Sequence, residues 1–328
     1  MSAMYRLILA VLTLVNLSPA TFANLGRDLY IGDKDLFGDR LYYPYRDMSK
    51  HFSDEDTHTV HGALPLNPGD IHPPAPGKKR LIVLDNDGVL VQRNGPTAEQ
   101  AATLLRALIA NPNNEVWVNT ARGLAGVDSY LNIPGLNIAA EHGTILRVWR
   151  PNTEGQGGEH EILGAYHPQG PSMRDAMKGI ELEYEHIGME VFDGPHNLAA
   201  YRYEAPYQTT NAHVKARVQG MLRENQFKEF ELRLEDGRRY GEVKPKRADK
   251  GNLLYMLARK KRYDRGFIMG DQPADEGMFR AVIPVNGNNK FFHTVIVSDE
   301  PSQATSAQYK LRNPWEVHNF LEELSRKP

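Results

Sequence analysis

The feature that most constrains the fold is an apolar run that ends abruptly in carboxylates. Residues 80–84, Arg-Leu-Ile-Val-Leu, are typical of a parallel strand that is buried on both faces. The chain then continues as Asp85-Asn-Asp-Gly-Val89. In open α/β sheets, ligands bind beyond the carboxyl ends of the strands, so Asp85 and Asp87 are well placed for chemistry. Asp-Gly is also a common turn sequence, so this segment alone favours neither interpretation.

Helices and strands alternate after this first strand. Thr97 and Gln100 resemble a capping box at the start of a helix, whose buried stripe would contain Leu104, Leu105 and Leu108. Residues 115–119 predict the next strand, and the alternation continues through residues 126–131 and 136–140. This order predicts an α/β fold with a doubly wound, Rossmann-like parallel sheet.

Polar groups follow the second predicted strand as well. Thr120 and Arg122 stand directly after residues 115–119, where they can meet the carboxylates at the end of the neighbouring strand. Both side chains suit a bound phosphate, because a hydroxyl donates a hydrogen bond and a guanidinium holds two oxygens in a planar fork.

The second half of the chain supplies a lysine and further carboxylates. Lys250 precedes an amphipathic stretch, so its ammonium lies near a helix N-terminus, where a phosphate is favoured. Residues 266–270 predict another strand, which is followed by Asp271 and Asp275. Taken alone, Lys250 is better explained as a surface lysine of the basic run 244–250, and the two aspartates as turn residues.

Composition narrows the chemistry that is open to the chain. The 328 residues contain no cysteine, which excludes disulfides, thiolate metal sites, cysteine nucleophiles and iron–sulfur clusters. The formal net charge is −2, so the chain lacks the polybasic footprint of a general nucleic-acid binder, and we expect no nucleic-acid partner. Any chemistry must use carboxylates, histidines, hydroxyls, lysines or a metal held by oxygen and nitrogen.

In order along the chain, these groups resemble the four motifs of the haloacid-dehalogenase-like phosphatase superfamily. The motifs are Asp85-x-Asp87-Gly, Thr120, Lys250 and Gly270-Asp271-x-x-x-Asp275. Within the superfamily the chain is more similar to trehalose-6-phosphate phosphatases, a similarity carried by residues 138–143 (Ile-Ala-Ala-Glu-His-Gly), 241–245 (Gly-Glu-Val-Lys-Pro) and 270–276 (Gly-Asp-Gln-Pro-Ala-Asp-Glu). The similarity covers roughly residues 80 to 325.

The spacing of the motifs predicts an inserted domain. The stretch between Thr120 and Lys250 is too long for one crossover connection, and this superfamily commonly carries a cap domain at that point. We therefore predict a core of residues 80–154 and 242–328, with an α/β cap at residues 155–241. Glycines at 155, 157 and 158 would mark a flexible boundary on which the cap could close.

The resemblance implies a Mg²⁺-dependent phosphoric monoester hydrolase that works through an aspartyl-phosphate. Asp85 would be the nucleophile, and Asp87 would serve as acid and then as base. Asp85, Asp271 and the backbone carbonyl of Asp87 would hold the metal, because hard oxygen ligands favour Mg²⁺.

The remaining motif residues are expected to act around these groups. Asp275 would orient Asp271 or Lys250, while Thr120 and Lys250 would hold the phosphoryl oxygens. Arg122, Glu141 and Lys244 are candidate sugar contacts, with salt bridging as their competing role.

The implied substrate is a small-molecule sugar phosphate, trehalose 6-phosphate, which would be hydrolysed to trehalose and phosphate as in trehalose biosynthesis. Val89 stands where the family motif usually has Thr, Gln272 replaces an aspartate, and Tyr201-Arg-Tyr203 only partly matches the signature of the cap. Two alternatives therefore stay open. One is a capped phosphatase for another sugar phosphate, and the other is a non-catalytic sugar-binding protein on this scaffold.

The N-terminus predicts export. Residues 1–23 combine a short positive start, an apolar run at 7–15 and small residues before a cleavage site after Ala23. That run is shorter than the ~20 residues that span a bilayer. We therefore predict a periplasmic or extracellular protein without stable membrane insertion after signal cleavage. Residues 24–79 are predicted to form an arm and a proline-rich linker.

Overall fold

A computed structural model describes residues 57–327 apart from 153–156, 165, 193–195, 205–206, 235–238 and 288–289. The predicted export signal at residues 1–23 and the predicted arm up to residue 56 lie outside the described residues. Within the described ranges, every helix is too short or too polar to cross a bilayer.

The described strands are, in chain order, β1 (His58–Thr59), β2 (Leu64–Pro65), β3 (Lys79–Leu84), β4 (Asn114–Asn119), β5 (Asn137–Ala140), β6 (Ile145–Pro151), β7 (Gly158–Gly164), β8 (Glu190–Phe192), β9 (Ala199–Arg202), β10 (Phe230–Leu234), β11 (Tyr240–Pro245), β12 (Tyr263–Gly270), β13 (Phe291–Val297), β14 (Ala304–Thr305) and β15 (Tyr309–Leu311). The described α-helices are α1 (Ala98–Ile109), α2 (Gly170–Glu183), α3 (Tyr207–Leu222), α4 (Gly251–Leu257), α5 (Glu276–Val282) and α6 (Pro314–Arg326). Short 3₁₀ segments connect several of these elements.

Nine of the described strands form the main sheet, in the order β2-β15-β13-β12-β3-β4-β5-β6-β7. The pairs from β2 across to β5 are parallel, and β6 and β7 continue the sheet as antiparallel strands. The prediction of a doubly wound parallel sheet is confirmed, with an antiparallel extension at one edge. The sheet order places the carboxyl ends of β3, β4 and β12 side by side.

Burial explains why residues 80–84 form the central strand. Ile82 and Leu84 pack in one hydrophobic core with residues of α1 and α6. Successive strand residues point to opposite faces, so Leu81 and Val83 are directed to the other side, and both are fully buried. An apolar run without alternation is therefore what this position requires.

The start of α1 confirms the predicted capping box. The Thr97 hydroxyl accepts a hydrogen bond from the Gln100 backbone N–H at 3.3 Å, and the Gln100 side chain accepts one from the Thr97 N–H at 2.9 Å. The helix expected at residues 126–131 is instead a 3₁₀ segment, Leu124–Tyr130, interrupted by non-helical backbone at Val127.

A second, four-stranded antiparallel sheet has the order β10-β11-β9-β8. Helices α2 and α3 cover one of its faces with a separate core that includes Met177, Val218, Tyr201 and Val243. This is the α/β cap that the sequence predicts between Thr120 and Lys250.

The predicted boundaries of the cap need correction on both sides. Strand β7, at residues 158–164, pairs with β6 in the main sheet, so Gly158 belongs to the core, while Gly155 lies outside the described residues. Strand β11 continues to Pro245, which pairs with Phe230 in the cap sheet. Glu242 and Lys244 therefore belong to the cap strand, because the antiparallel pairing with β10 extends past the predicted end.

The predicted linker is wrong for its described part, residues 57–79. Strand β2 joins the edge of the main sheet beside β15, and β1 pairs with β14. Leu66 and Ile71 are buried in the main core. An edge strand tolerates Pro65, because one side of such a strand needs no hydrogen-bond donors, so the proline content was misleading here.

Candidate active site

Asp85 directly follows β3 and is buried in the middle of the main sheet. Its backbone N–H donates to the Met269 carbonyl of β12 at 3.0 Å, which fixes the chain position between the two strands. The Asp85 Oδ1 atom accepts hydrogen bonds from the Asn86 N–H at 2.7 Å and from the Lys250 ammonium at 2.8 Å.

Lys250 stands at the N-terminal end of α4 and is 1% exposed. Its Nζ bridges two carboxylates, Asp85 at 2.8 Å and Asp275 at 2.7 Å. Burial by itself would lower the pKa of Lys250, but the two carboxylates raise that pKa above its ordinary value. The lysine is thus a charged group held inside the protein, not the surface lysine of the competing interpretation.

Asp275 is fully buried and ties the loop after β12 together. Its Oδ1 accepts from Lys250, and its Oδ2 accepts from the backbone N–H groups of Asp271 at 2.9 Å and Gln272 at 3.1 Å. Both oxygens are therefore engaged in fixing the lysine and the loop. Gln272 contributes its backbone N–H to this contact, which any residue at that position could supply.

Asp85, Asp271 and Asp275 each bring a carboxylate oxygen within 4.8 Å of the other two. Burial and the neighbouring Asp275 raise the pKa of Asp85 to about 7, against the opposing effect of Lys250. The pKa of Asp271 is raised well above its ordinary value, first by burial and then by Asp275 and Asp85. A single lysine therefore does not compensate the charge that three carboxylates would carry here.

The donor set fits a hard divalent cation. The Asp271 Oδ1 atom is buried without a hydrogen-bond donor among the described residues. Gly88, at φ +76°, lets the loop after β3 approach this carboxylate so closely that a Cβ would lie 2.0 Å from Asp271 Oδ2. Buried carboxylate oxygens that lack a donor are suitable ligands for such a cation. The residues that could hold it are Asp85 and Asp271.

Asp87, in the loop that follows β3, is held by Arg122. Its Oδ2 and Oδ1 atoms accept from Arg122 Nε and Nη2, both at 2.7 Å. The side chains are 42% and 48% exposed, respectively. The guanidinium that the sequence suggested as a sugar contact therefore contacts the predicted acid and base.

Thr120 follows β4 and is buried. The register pairs Leu84 with Val118, so Asp85 lies beside Asn119, and Thr120 is the next residue along its own strand. The Thr120 hydroxyl accepts from the Arg122 N–H at 3.1 Å, and its carbonyl accepts from the His142 N–H at 3.1 Å. These contacts connect the second motif to the turn that follows β5.

That turn is the junction between the two sheets. Glu141 and His142 adopt positive φ, 49° and 57°, which is uncommon for residues other than glycine. The Glu141 carboxylate accepts from the Asn197 N–H at 2.7 Å, and His142 Nε2 lies 2.9 Å from Glu242 Oε1 in the cap sheet. Two consecutive strained residues thus direct their side chains to the cap.

The cap contributes charged residues that the sequence did not single out. Burial alone would raise the pKa of Glu242, but His142, Arg233 and Lys244 lower it to about 2. Lys244 donates to the Ala248 carbonyl and pairs with Glu231, each at 2.8 Å. Glu141 and Lys244 therefore lie at the junction but are engaged within it, whereas Glu242, His142 and Asn197 were missed. The sequence signal for His142 and Glu242 is their position in the motif segments 138–143 and 241–245, whereas Asn197 lies in neither segment.

No model of a known protein family matches the chain. A bifunctional trehalose-6-phosphate synthase/phosphatase of Thermoproteus tenax is 28% identical over 257 residues, which are 76% of this chain and 32% of that protein. A trehalose-phosphatase of Schizosaccharomyces pombe is 25% identical over 241 residues, which are 71% of this chain and 27% of that protein. The chain spans less than a third of the length of each of these relatives.

A solved structure has the same fold. The C-terminal domain of the C. albicans trehalose-6-phosphate phosphatase superposes with a TM-score of 0.61 at 19% identity, covering 80% of this chain and 99% of that one. The sequence motifs, the sheet order and the inserted cap agree with these similarities. The chain is therefore similar in sequence to the trehalose-6-phosphate phosphatases and shares their fold.

Proposed function

We propose that the chain hydrolyses trehalose 6-phosphate to trehalose and phosphate. The observation that carries the proposal is the buried pair of salt bridges that Lys250 makes with Asp85 and Asp275 at the carboxyl ends of β3 and β12. It offers a carboxylate beside a fixed positive charge, which is what an attack on a phosphate ester needs. The choice of sugar is supported by the names of the relatives and by the motif segments shared with them.

In this mechanism Asp85 is the nucleophile. A carboxylate oxygen of Asp85 forms a bond to phosphorus while the bond from phosphorus to the sugar oxygen breaks. In this step Asp87 starts protonated, so one of its oxygens still accepts from Arg122 while the other gives its proton to the departing oxygen. Water then attacks the aspartyl-phosphate, Asp87 takes a proton from that water, and the Asp85 carboxylate leaves. The products are the sugar and inorganic phosphate, and both side chains return to their starting states.

The surrounding groups neutralise and orient the phosphoryl oxygens. Lys250 supplies a charge that is already desolvated and fixed, so little reorganisation accompanies the transfer. Thr120 can donate its hydroxyl proton to a phosphoryl oxygen while its own oxygen keeps the hydrogen bond from Arg122. Positioning of this kind is most of what phosphoryl transfer requires.

We propose Mg²⁺ as the cation, held by Asp85, Asp271 and the backbone carbonyl of Asp87. When bound, it would supply charge neutralisation for the phosphoryl group among the three carboxylates. Asp275 would act through Lys250 and the loop it fixes, because both its oxygens are already engaged.

The sugar would lie between the catalytic loops and the junction with the cap. Glu141 and Lys244 remain candidates there, with Glu242 and Asn197 as additional polar groups at the same junction. We further propose that the protein acts outside the cytoplasm, on the strength of the pattern in residues 1–23.

The decisive experiment is a panel of phosphate esters offered to the purified full chain, with phosphate release as the readout. We expect trehalose 6-phosphate to give the highest kcat/KM, with activity lost in EDTA and restored by Mg²⁺. The Asp85→Asn variant should be inactive while keeping the melting temperature of the parent. Preference for another sugar phosphate would move the proposal to that substrate, and trehalose binding without phosphate release would replace it with a binding protein.

A further inference from the structure

We propose that Arg122 is the positioning residue of Asp87, and that it acts on this carboxylate instead of contacting the sugar. This inference rests on the proposed phosphatase function and deepens it. It reassigns the guanidinium that the sequence pattern linked to substrate.

The contact between the two side chains is bidentate. Nε and Nη2 of Arg122 each donate to a different oxygen of Asp87 at 2.7 Å. Two parallel hydrogen bonds from a planar fork fix the plane of a carboxylate as well as its distance, which a lysine cannot do. The orientation of the Asp87 carboxylate therefore depends on the position of the guanidinium.

Arg122 is itself anchored at three points. Its N–H donates to the Thr120 hydroxyl at 3.1 Å, and its carbonyl accepts from the Glu141 N–H at 2.9 Å. Gly126 lies against the side-chain stem, so close that a Cβ there would be 3.0 Å from Arg122 Cβ and Cδ. The base of the arginine side chain is thus fixed relative to the phosphate-holding loop.

Asp87 also has a second side-chain partner, Asn86. The Asn86 side-chain Nδ2 donates to Asp87 Oδ2 at 3.2 Å, and the Asn86 side-chain Oδ1 accepts from the buried Tyr130 hydroxyl at 3.0 Å. The carboxylate thereby accepts from an amide and a guanidinium, and the residues of both groups make further hydrogen bonds to neighbouring residues. These contacts together orient the Asp87 carboxylate.

Because the Arg122–Asp87 pair is exposed, a loss of activity in an Arg122 variant can be distinguished from a loss of stability. The two side chains are 42% and 48% exposed, and an ion pair in contact with solvent adds little to stability. We therefore expect Arg122→Ala to keep the melting temperature of the parent. Its effect should appear in the step that needs a correctly placed proton donor.

The test is a double-mutant cycle with two kinds of substrate. For an alkyl phosphate such as the preferred sugar phosphate, Arg122→Ala should lower kcat by roughly 10- to 100-fold, part of the 10²- to 10⁴-fold that a general acid and base contributes. KM should change little. Arg122→Lys should recover only part of the loss, and Arg122→Ala in the Asp87→Asn background should cause no further loss.

p-Nitrophenyl phosphate isolates the role of the proton donor, because its leaving group departs without one. In Arg122→Ala, the first-turnover burst of p-nitrophenolate should stay close to that of the parent while steady-state turnover of the alkyl phosphate falls. Arg217→Ala is the matched control, since Arg217 makes a similar bidentate pair with Glu183, in the cap helices. That variant should behave as the parent toward both substrates.

Several results would overturn the inference. They are an additive loss in the double variant, a raised KM with unchanged kcat in Arg122→Ala, or equal losses for both leaving groups. Each would make Arg122 a substrate contact. Phosphate release by the parent chain would leave the phosphatase proposal standing in those cases, whereas no release from any ester by the parent would overturn both.

Discussion

Replacing Lys250 with methionine tests whether the buried lysine compensates the carboxylates around it. The substitution removes an ammonium that is 1% exposed and lies 2.8 Å from Asp85 and 2.7 Å from Asp275. Methionine keeps most of the volume of the side-chain stem, so little cavity is left behind. Removing one partner of a buried ion pair leaves an uncompensated charge and costs about 3–5 kcal/mol. We expect a loss of that size in the free energy of unfolding, measured without metal at pH 8.

The pH dependence gives the reasoning a second, independent check. Burial and Asp275 raise the pKa of Asp85 to about 7 even though Lys250 opposes them, so removing Lys250 must raise that pKa further. A carboxyl with a raised pKa in the folded state contributes stability at low pH, and this contribution is lost as the pH rises through the folded pKa. The deficit of Lys250→Met should therefore be smaller at pH 5 than at pH 8.

The assay is urea unfolding in EDTA, followed by tryptophan fluorescence, to which the buried Trp117 contributes. The control is Lys178→Met, because Lys178 pairs with Glu181 at 2.7 Å on the surface of α2, and its loss should cost less than about 1 kcal/mol. Lys250→Met combined with Asp275→Asn should recover part of the deficit. A deficit below about 1 kcal/mol at pH 8, or one that is larger at pH 5, would refute the argument.

Three further predictions concern the metal site, the junction with the cap and the loop after β3. Mg²⁺ should raise the melting temperature of the parent but not that of Asp271→Asn. At a concentration of 100 times its Kd, bound Mg²⁺ should add about 2.7 kcal/mol to the free energy of unfolding of the parent. Equal shifts of the melting temperature in both proteins would place the metal elsewhere. The pKa of Glu242 is lowered from 4.5 to about 2, so its stabilising contribution should be present above pH 4.5 and lost as the pH falls towards 2. Glu242→Gln should therefore be less stable than the parent by up to about 3 kcal/mol at pH 7 and converge with it near pH 2, as followed by urea unfolding; a constant difference would contradict this. Gly88→Ala combines positive φ with a 2.0 Å approach to Asp271 Oδ2, so phosphate release should fall at least tenfold; Gly69→Ala is its control, because nothing lies within 4 Å of the added Cβ.

Local patterns in the sequence were enough to predict the central strand of the sheet and the residue types that follow it. An unbroken apolar run is stable only when both faces are covered, so residues 80–84 predicted a central parallel strand from local information. The aspartates follow that strand and β12 directly, so their approximate place needed no tertiary contact. The capping box at Thr97 was equally local, since its two hydrogen bonds join residues three positions apart.

The linker predicted from the proline content is wrong where apolar residues between the prolines are buried. Residues 57–79 contain enough prolines to suggest a linker, yet Leu66 and Ile71 are buried in the main core. The predicted boundary of the cap at residue 242 is wrong for a related reason. Strand β11 continues past that residue because β10 provides hydrogen-bond partners as far as Pro245. The pairing of Pro245 with Phe230 depends on β10, which no local pattern around residue 242 reveals.

Which charged groups meet depends instead on the packing of elements that are distant in the sequence. Asp85, Lys250 and Asp275 come together because β3 and β12 are neighbours in the sheet and α4 begins beside them. The same is true of Arg122. The sequence suggested that it contacts the sugar, whereas in the structure its guanidinium donates to Asp87. The physical reason is the sequence separation of the interacting residues. The burial pattern of a helix or strand depends on the residues of that element alone, so it can be predicted from the local sequence. Hydrogen bonds between side chains require an approach to about 3 Å, which only the packing of distant elements can provide.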